Sequence, residues 1–234
     1  MADEQERDIG LAGIGSMATR QMLIQLSEQY QRESGYCVNM TSIGGVEAAR
    51  RVQAGEAFDF AVLASAAVDR LIGAGHLVAG RTDVARSGMA VAVAKGAPRP
   101  DIASSVALRK AVLRAPRIGY STGPSGDHLM KLFANWGIAD ELAPRLLQAP
   151  PGVPVGRLIS DGKVSLGFQQ LTELMNVRGV EVLGPLPDDT QLITVFSAAI
   201  CAVSGRVDVA RHFLSFLTSE SASAVKRVFG MEPA

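Results

Sequence analysis

The chain has 234 residues, and its 23 basic and 23 acidic side chains give a formal net charge of zero. No basic block is longer than a pair such as Arg50 and Arg51, so we expect no nucleic-acid partner. Hydrophobic residues form 47% of the chain in runs too short to span a bilayer, so we expect no direct membrane insertion.

The chain length and the N-terminal sequence each allow two interpretations, one for the domain organisation and one for the location of the protein. A chain of this length holds one large domain or two lobes of ~100 residues each. The polar N-terminus, residues 1–7, lacks the apolar core of a secretory signal. It fits a cytoplasmic protein and equally an exported one whose signal has been removed.

Cys37 and Cys201 each lie in an apolar, strand-like run, and they are either two buried thiols or one bridge between paired strands.

Strands and helices alternate along the first part of the chain. An apolar stripe at helical spacing runs from Ala18 to Tyr30 and is closed by Gly35, which predicts a helix there. The other predicted elements are strands at 8–13, 36–42 and 58–64 and helices at 45–54 and 66–72. Strands separated by helices indicate right-handed crossovers and a mainly parallel sheet.

A second run of the same pattern follows a long strand at 87–94. It comprises helices at 106–113, 129–136 and 139–148, strands at 117–121 and 164–168, a Pro-rich turn at 149–154, and a further helix before Asp161. A long strand-like run at 191–203 and helices at 206–218 and 221–229 complete the chain. We predict an α/β fold of two lobes, 1–86 plus 200–234 and 87–199. Two crossing strands form the hinge, and a ligand cleft lies between the lobes.

Three times an apolar strand runs through a Gly/Ser turn directly into a helix, at residues 9–16, 38–45 and 118–126. The first N–H groups of a helix have no partner within it, and the helix dipole places partial positive charge there. A small anion can bind such an end without Lys or Arg. The three units predict a shared anion site, with ordinary strand-to-helix turns as the alternative.

Several other chemistries are not supported. The segment Gly13–Ala18 matches the dinucleotide pattern G-x-G-x-x-A, but the second strand ends in Asn39, Met40 and Thr41 rather than in an acidic residue or an arginine. The sequence contains no G-x-S-x-G motif of serine hydrolases and no phosphate loop. His76, His128 and His212 lie far apart, so we expect no metal and no cofactor.

Two polar positions have more than one interpretation. His128 falls in the first turn after Ser125 and Gly126, where a neutral imidazole could relay a proton; it is alternatively a surface histidine. Gln169 and Gln170 end a predicted strand with two neutral amides that suit a planar carboxylate. They are equally typical of residues that cap a loop.

Taken together, these segments resemble the molybdate-binding branch of the type II periplasmic solute-binding proteins, from Gly10 to Gly230. The resemblance is carried by the strand-to-helix start at Ser16, the segments 47–55 and 58–65 with Asp69 and Gly75, the Pro-Ser-Gly at 124–126, the Gly-Phe-Gln-Gln at 167–170, and the terminal helix at 224–230. It implies two α/β lobes that trap an oxyanion with hydroxyl and backbone N–H groups.

The resemblance also implies site residues. The family's two serines fall on Ser16 and on Gly45, which has no hydroxyl. Its backbone contact falls on Ser125, its valine near Gly152 or Val153, and its tyrosine on Gln170. The ligand-binding set we expect is Ser16, Met17, Gly44, Gly45, Tyr120, Ser121, Ser125, Gly126, Val153, Gln169 and Gln170. The loss of two of the family's side-chain ligands favours a larger anion with carboxylates over molybdate.

We therefore expect a solute-binding protein that captures a small anion, an organic polycarboxylate, in the cleft. One alternative is aconitate isomerase, which belongs to the same broad group and would use Tyr120 or His128 as its base. A second is binding of molybdate or a similar oxyanion for import. The resemblance implies a periplasmic monomer with its signal removed, served by an ABC permease.

Overall fold

A computed structural model describes residues 10–234, which form two compact units. The first unit extends to Arg86 and resumes with Val195–Ala234, and the second unit is Ser87–Thr194. The sequence-based expectation had placed the second boundary after residue 199. The chain passes from one unit to the other inside the two strands Thr82–Ala94 and Ile193–Ile200.

The strands, in chain order, are β1 (Leu11–Ser16), β2 (Val38–Ile43), β3 (Phe60–Ala64), β4 (Thr82–Ala94), β5 (Ile118–Tyr120), β6 (Leu146–Gln148), β7 (Leu166–Gln170), β8 (Val180–Pro185), β9 (Ile193–Ile200) and β10 (Glu232–Pro233). The α-helices are α1 (Arg20–Ser34), α2 (Gly45–Gln53), α3 (Ser65–Gly73), α4 (Ser105–Arg114), α5 (Pro124–Asn135), α6 (Ala139–Leu142), α7 (Val155–Ser160), α8 (Leu171–Leu174), α9 (Val207–Leu217) and α10 (Glu220–Val228). Short 3-10 helices lie at Met17–Thr19, Ala143–Arg145 and Asp188–Thr190.

The first unit is built on β1, which pairs in parallel with β2 on one side and with β3 on the other. β9 continues the sheet antiparallel to β3. The helix α1 buries the predicted apolar stripe, including Met22, Leu26 and Tyr30, and ends at Gly35, whose positive φ of 78° suits glycine. Because β1, β2 and β3 run in parallel, their carboxyl ends meet at one edge of the sheet.

The second unit has a sheet in the order β4-β7-β5-β6, in which β5 is parallel to β6 and β7. Gly119 and Gly167 are partners in register on β5 and β7. A β-carbon at Gly119 would lie 3.1 Å from a methyl of Val155, and a β-carbon at Gly167 would lie 2.8 Å from the same methyl. The two glycines therefore make the room in which α7 packs on this sheet.

Some boundaries differ from the prediction. The first strand occupies Leu11–Ser16, later than the predicted 8–13, of which residues 8 and 9 lie outside the described part of the chain. The helix predicted at 139–148 is wrong: α6 stops at Leu142, and Leu146–Gln148 forms β6 beside β5. Pro144 lacks the N–H that a longer helix would need. The sequence analysis also missed β8 and α8.

Within residues 10–234, the helices are all too short or too polar to cross a membrane.

Candidate functional site

The carboxyl edge of the first unit brings Ser16 next to the start of α2. A β-carbon built on Gly45 would lie 3.6 Å from the β-carbon of Ser16. The first intrahelical bond of α2 runs from the Ala48 N–H to the Gly44 carbonyl at 2.8 Å. The three N–H groups before it, at residues 45–47, have no acceptor within the helix. Two of the predicted strand-to-helix turns therefore meet at this edge.

Two serine hydroxyls at this edge are buried and have no partner among the described residues. The Oγ of Ser16 is one of them, and Ser16 is only 7% exposed. The other is the Oγ of Ser42, which is one residue before the end of β2 and faces Gly15 in register. Buried polar atoms almost always form hydrogen bonds, so an unused hydroxyl calls for a physical reason.

The charged groups near α2 are largely paired with one another. Arg50 donates to Glu47 at 2.7 Å, and this bond lowers the pKa of the Glu47 carboxyl. Arg51 is paired with Glu56 in the same way. Arg20 is exposed and begins α1 shortly after Ser16, where a cation opposes the helix dipole. An anion bound at this edge would meet hydroxyl and N–H groups first, with Arg20 as the nearby unpaired charge within the described chain.

The carboxyl end of β5 in the second unit carries a second pair of serines. Ser121 and Ser125 are both buried, and their hydroxyl oxygens are 2.7 Å apart. One hydroxyl donates to the other, so one hydroxyl proton stays available to an acceptor. Gly123 has a φ of 80° and precedes Pro124, the first residue of α5. The third predicted turn therefore offers a hydroxyl donor and the first N–H groups of a twelve-residue helix.

Gln169, at the end of β7, connects two helices. Its Oε1 accepts from the Val155 N–H at 2.7 Å, which caps the start of α7, and its Nε2 donates to Glu173 at 2.7 Å. Burial raises the pKa of the Glu173 carboxyl to about 7, although the bond from Gln169 lowers it. The second unit thus contains a carboxyl that gains and loses a proton near neutrality.

Gln170 is also held inside the protein. Its side-chain amide lies 2.7 Å from the Thr194 hydroxyl. With its nitrogen towards β4, it donates to the carbonyl oxygens of Ser87 at 3.1 Å and Gly88 at 3.2 Å. Both glutamines are buried and engaged with backbone or side chains, which matches the loop-capping interpretation at least as well as the ligand-binding one.

The remaining predicted residues have separate places. Met17 lies in the 3-10 turn after Ser16, and Val153 donates its N–H to Pro150 at 3.0 Å within the Pro-rich turn. Tyr120 is the last residue of β5 and is partly buried against the core of the second unit. His128 lies with its Nε2 2.8 Å from the carbonyl oxygen of Thr190, and its Nδ1 has no hydrogen-bond partner among the described residues.

Sequence reasoning missed three residues of interest. Arg20 carried a usable signal, because a basic residue in the first turn of a helix opposes the dipole. Ser42 is unremarkable in sequence, since its hydroxyl becomes notable only when neighbouring elements bury it. Glu173 looks like a surface residue in sequence, and its raised pKa arises from tertiary burial.

The described residues form neither a metal site nor a disulfide. Among residues 10–234, no three His, Cys, Asp or Glu side chains come together as a metal site would require. Cys37 and Cys201 are both free thiols. Burial, with a smaller effect from Asp59, raises the pKa of the Cys201 thiol to about 12, so this thiol is inert at neutral pH.

Comparison with known proteins identifies the family of this chain. The family model of the bacterial extracellular solute-binding proteins matches residues 11–232. The chain is 29% identical over 215 residues to a protein named aconitate isomerase from a Pseudomonas species, covering 89% of this chain and 82% of that protein.

Solved structures share the fold. The periplasmic molybdate-binding protein of Azotobacter vinelandii superposes with a TM-score of 0.81 at 18% identity, over 96% of this chain and 99% of that one. PEB3 of Campylobacter jejuni with bound L-phospholactate superposes with a TM-score of 0.71 at 12% identity, over 96% of this chain and 100% of that one. The predicted resemblance and the predicted α/β fold with two crossing strands are confirmed. The chain belongs to the bacterial extracellular solute-binding protein family.

Proposed function

We propose that this protein captures a small organic anion that carries two or more carboxylates. The observation that carries the proposal is the buried Ser16 hydroxyl, which has no partner among the described residues and lies beside the start of α2. A carboxylate oxygen there would accept from the hydroxyl and from the N–H groups at residues 45–47, with the helix dipole adding attraction. Bonds from neutral donors to a charged acceptor are stronger than neutral pairs.

The choice of carboxylates over a compact oxyanion has two supports. Gly45 supplies no hydroxyl, so this edge offers fewer side-chain donors than a fully coordinated tetrahedral oxyanion would use. The relative is named for aconitate, and the PEB3 structure contains L-phospholactate. Both molecules are organic acids, which supports an organic anion here.

Binding is tested by thermal unfolding with trans-aconitate, citrate, molybdate and the neutral trimethyl ester of aconitate. A ligand at a hundred times its Kd adds about 2.7 kcal/mol to the free energy of unfolding. We expect a stabilising shift with trans-aconitate or citrate and none with the ester, because the ester has no anionic oxygen. Tight molybdate binding without carboxylate binding contradicts the proposal.

A second candidate function is isomerisation of aconitate, favoured by the relative of that name. The reaction is an allylic proton shift: a base removes a proton from the methylene carbon, the double bond moves, and a proton returns to the other end of the allyl system. The base must titrate near the working pH. Tyr120 and His128 remain the candidates from sequence, and Glu173, with a pKa raised to about 7, is a third.

Incubation with trans-aconitate in deuterated water distinguishes the two functions. A protein that only captures its ligand gives neither cis-aconitate nor deuterium in the carbon-bound positions after incubation with trans-aconitate. An isomerase gives both. In that case Tyr120→Phe, His128→Ala and Glu173→Gln are compared one at a time, and loss of the true base lowers kcat at least about a hundredfold while binding persists.

We also propose that the protein works outside the cytoplasm and delivers its ligand to an ABC permease. The family description and the periplasmic neighbours support this location. Fractionation of cells that express the full gene tests it: recovery in the cytosolic fraction alone contradicts the proposal.

A further inference from the structure

A groove of about 1000 Å³ lies in the second unit at the edge of the sheet opposite the serine pair. The strands β5 and β7 begin here, at Ile118 and Leu166, and β4 ends here at Ala94. Ser121 and Ser125 follow the other end of β5. We call this feature the basic groove, and it is separate from every residue of the candidate site.

The floor of the basic groove is apolar. One face of α4 contributes Ala107 and Ala111, and Ala115 follows the end of this helix. The strands β4 and β7 supply Val93 and Leu166, and Val164 lies just before β7. All of these except Ala107, which is partly exposed, are buried. An apolar floor framed by a few polar groups is the usual composition of a site for a small organic ligand.

The rim is strongly cationic. Lys110, Arg114, Arg117 and Lys163 line it, against the single carboxylate of Asp101. Asp101 is occupied locally, because its Oδ1 accepts from the Ala103 N–H at 2.9 Å. Lys163 has a loose ion pair, 3.8 Å from Asp161. In the part of the chain that the structure describes, the other three cations have no carboxylate within 4.0 Å.

Two of these cations also disfavour each other. Lys110 and Arg114 are four residues apart on α4, and like charges at this spacing destabilise a helix. Arg117 follows three residues after Arg114 and lines the same groove. An anionic group placed among the three would relieve this repulsion and form charge-assisted hydrogen bonds.

We propose that the basic groove binds an amphipathic anion, with its apolar body on the floor and its carboxylate against Lys110, Arg114 and Arg117. The apolar floor and the surrounding positive charge select for both halves of such a molecule. This site is independent of the proposed capture of a polycarboxylate, which takes place at the carboxyl ends of strands and uses neutral donors.

Isothermal titration of the full chain with octanoate tests the proposal, with 1-octanol as the uncharged probe of equal tail length. We expect saturable octanoate binding at one site and a much smaller heat of binding with 1-octanol. The double variant Lys110→Gln/Arg114→Gln should raise the Kd for octanoate by about tenfold or more. Ala107→Trp, which fills the floor, should abolish binding.

The matched control is Lys131→Gln/Arg178→Gln, which removes two exposed positive charges from the same unit. It should leave octanoate binding unchanged, and all variants should retain trans-aconitate binding. Equal loss of octanoate binding in the control variant, or no saturable binding by the wild type, overturns the proposal. A concentration-dependent dimer that Ala107→Trp dissociates in sedimentation velocity also overturns it, since the groove would then hold a second copy of the chain.

Discussion

Gly126 and Ser121 approach so closely that a β-carbon on Gly126 would lie 2.0 Å from the carbonyl oxygen of Ser121. The contact involves the backbone rather than a flexible side chain, so moving either group apart costs conformational energy. It holds the start of α5 against the end of β5 and keeps the Ser121 and Ser125 hydroxyls 2.7 Å apart. Glycine at 126 is therefore a requirement of this turn.

Gly126→Ala should lower the free energy of unfolding by about 1–3 kcal/mol, the range typical of overpacking. The control is Gly73→Ala at the end of α3, where a β-carbon meets nothing within 4 Å. Chemical denaturation of both variants checks the prediction. Equal stability of the two variants would show that the turn relaxes at no cost.

Glu173 should make stability depend on pH. Its pKa is raised from 4.5 to about 7, so the folded state holds a proton that the unfolded state releases between these values. Stability from this group is present in full below about pH 4.5 and is lost as pH rises through about 7. In wild type relative to Glu173→Gln, we expect that loss to be on the order of 3 kcal/mol.

Glu47→Gln serves as the control with the opposite sign. Hydrogen bonding to Arg50 lowers the pKa of Glu47, so its contribution is present above the unfolded pKa and is lost as pH falls. Urea denaturation across the pH range measures both differences. A difference between wild type and Glu173→Gln that stays flat from pH 4 to 8 contradicts the assignment.

His128 should matter for stability more than for capture of the ligand. Its imidazole is bonded to the Thr190 carbonyl at 2.8 Å, so His128→Ala should cost about 1 kcal/mol of stability. The affinity for trans-aconitate should change less than twofold. Denaturation and calorimetry of the same sample check both parts, and a large loss of affinity with unchanged stability would place His128 in the binding site instead.

Sequence periodicity was a good guide to the elements and to the turns at their ends. Ser16 and Gly45 were predicted because a strand, a glycine-rich turn and a helix follow one another locally, and the structure brings these two residues together. The helix expected at 139–148 was wrong because Leu146–Gln148 gains strand partners in β5, an interaction between distant segments. Tertiary pairing outweighed the local pattern there.

The roles of the polar site residues depended on distant contacts. Gln169 is tied to Val155, fourteen residues earlier, and nothing in the local sequence predicts that bond. The Glu173 pKa and the unpartnered Ser42 hydroxyl likewise result from burial by other elements. The sequence alone therefore predicted where the strand-to-helix turns lie, and the structure was needed to decide which side chains are free to bind.

The Ser16 hydroxyl makes a prediction that separates binding from folding. Ser16→Ala removes a buried hydroxyl without a partner among the described residues, so stability without ligand should stay the same or rise slightly. Ser27→Ala is the matched control, because its hydroxyl is also buried and unpartnered within that part of the chain but lies in the middle of α1. The two variants should have similar stability.

Calorimetric titration of trans-aconitate into wild type, Ser16→Ala and Ser27→Ala tests the central claim most directly. We predict that Ser16→Ala raises the Kd by about tenfold or more, since a charge-assisted hydrogen bond contributes about 1.5–3 kcal/mol. Ser27→Ala should bind as the wild type does. Equal affinity of all three proteins, or no affinity in any of them, would contradict capture of a carboxylate at the end of β1.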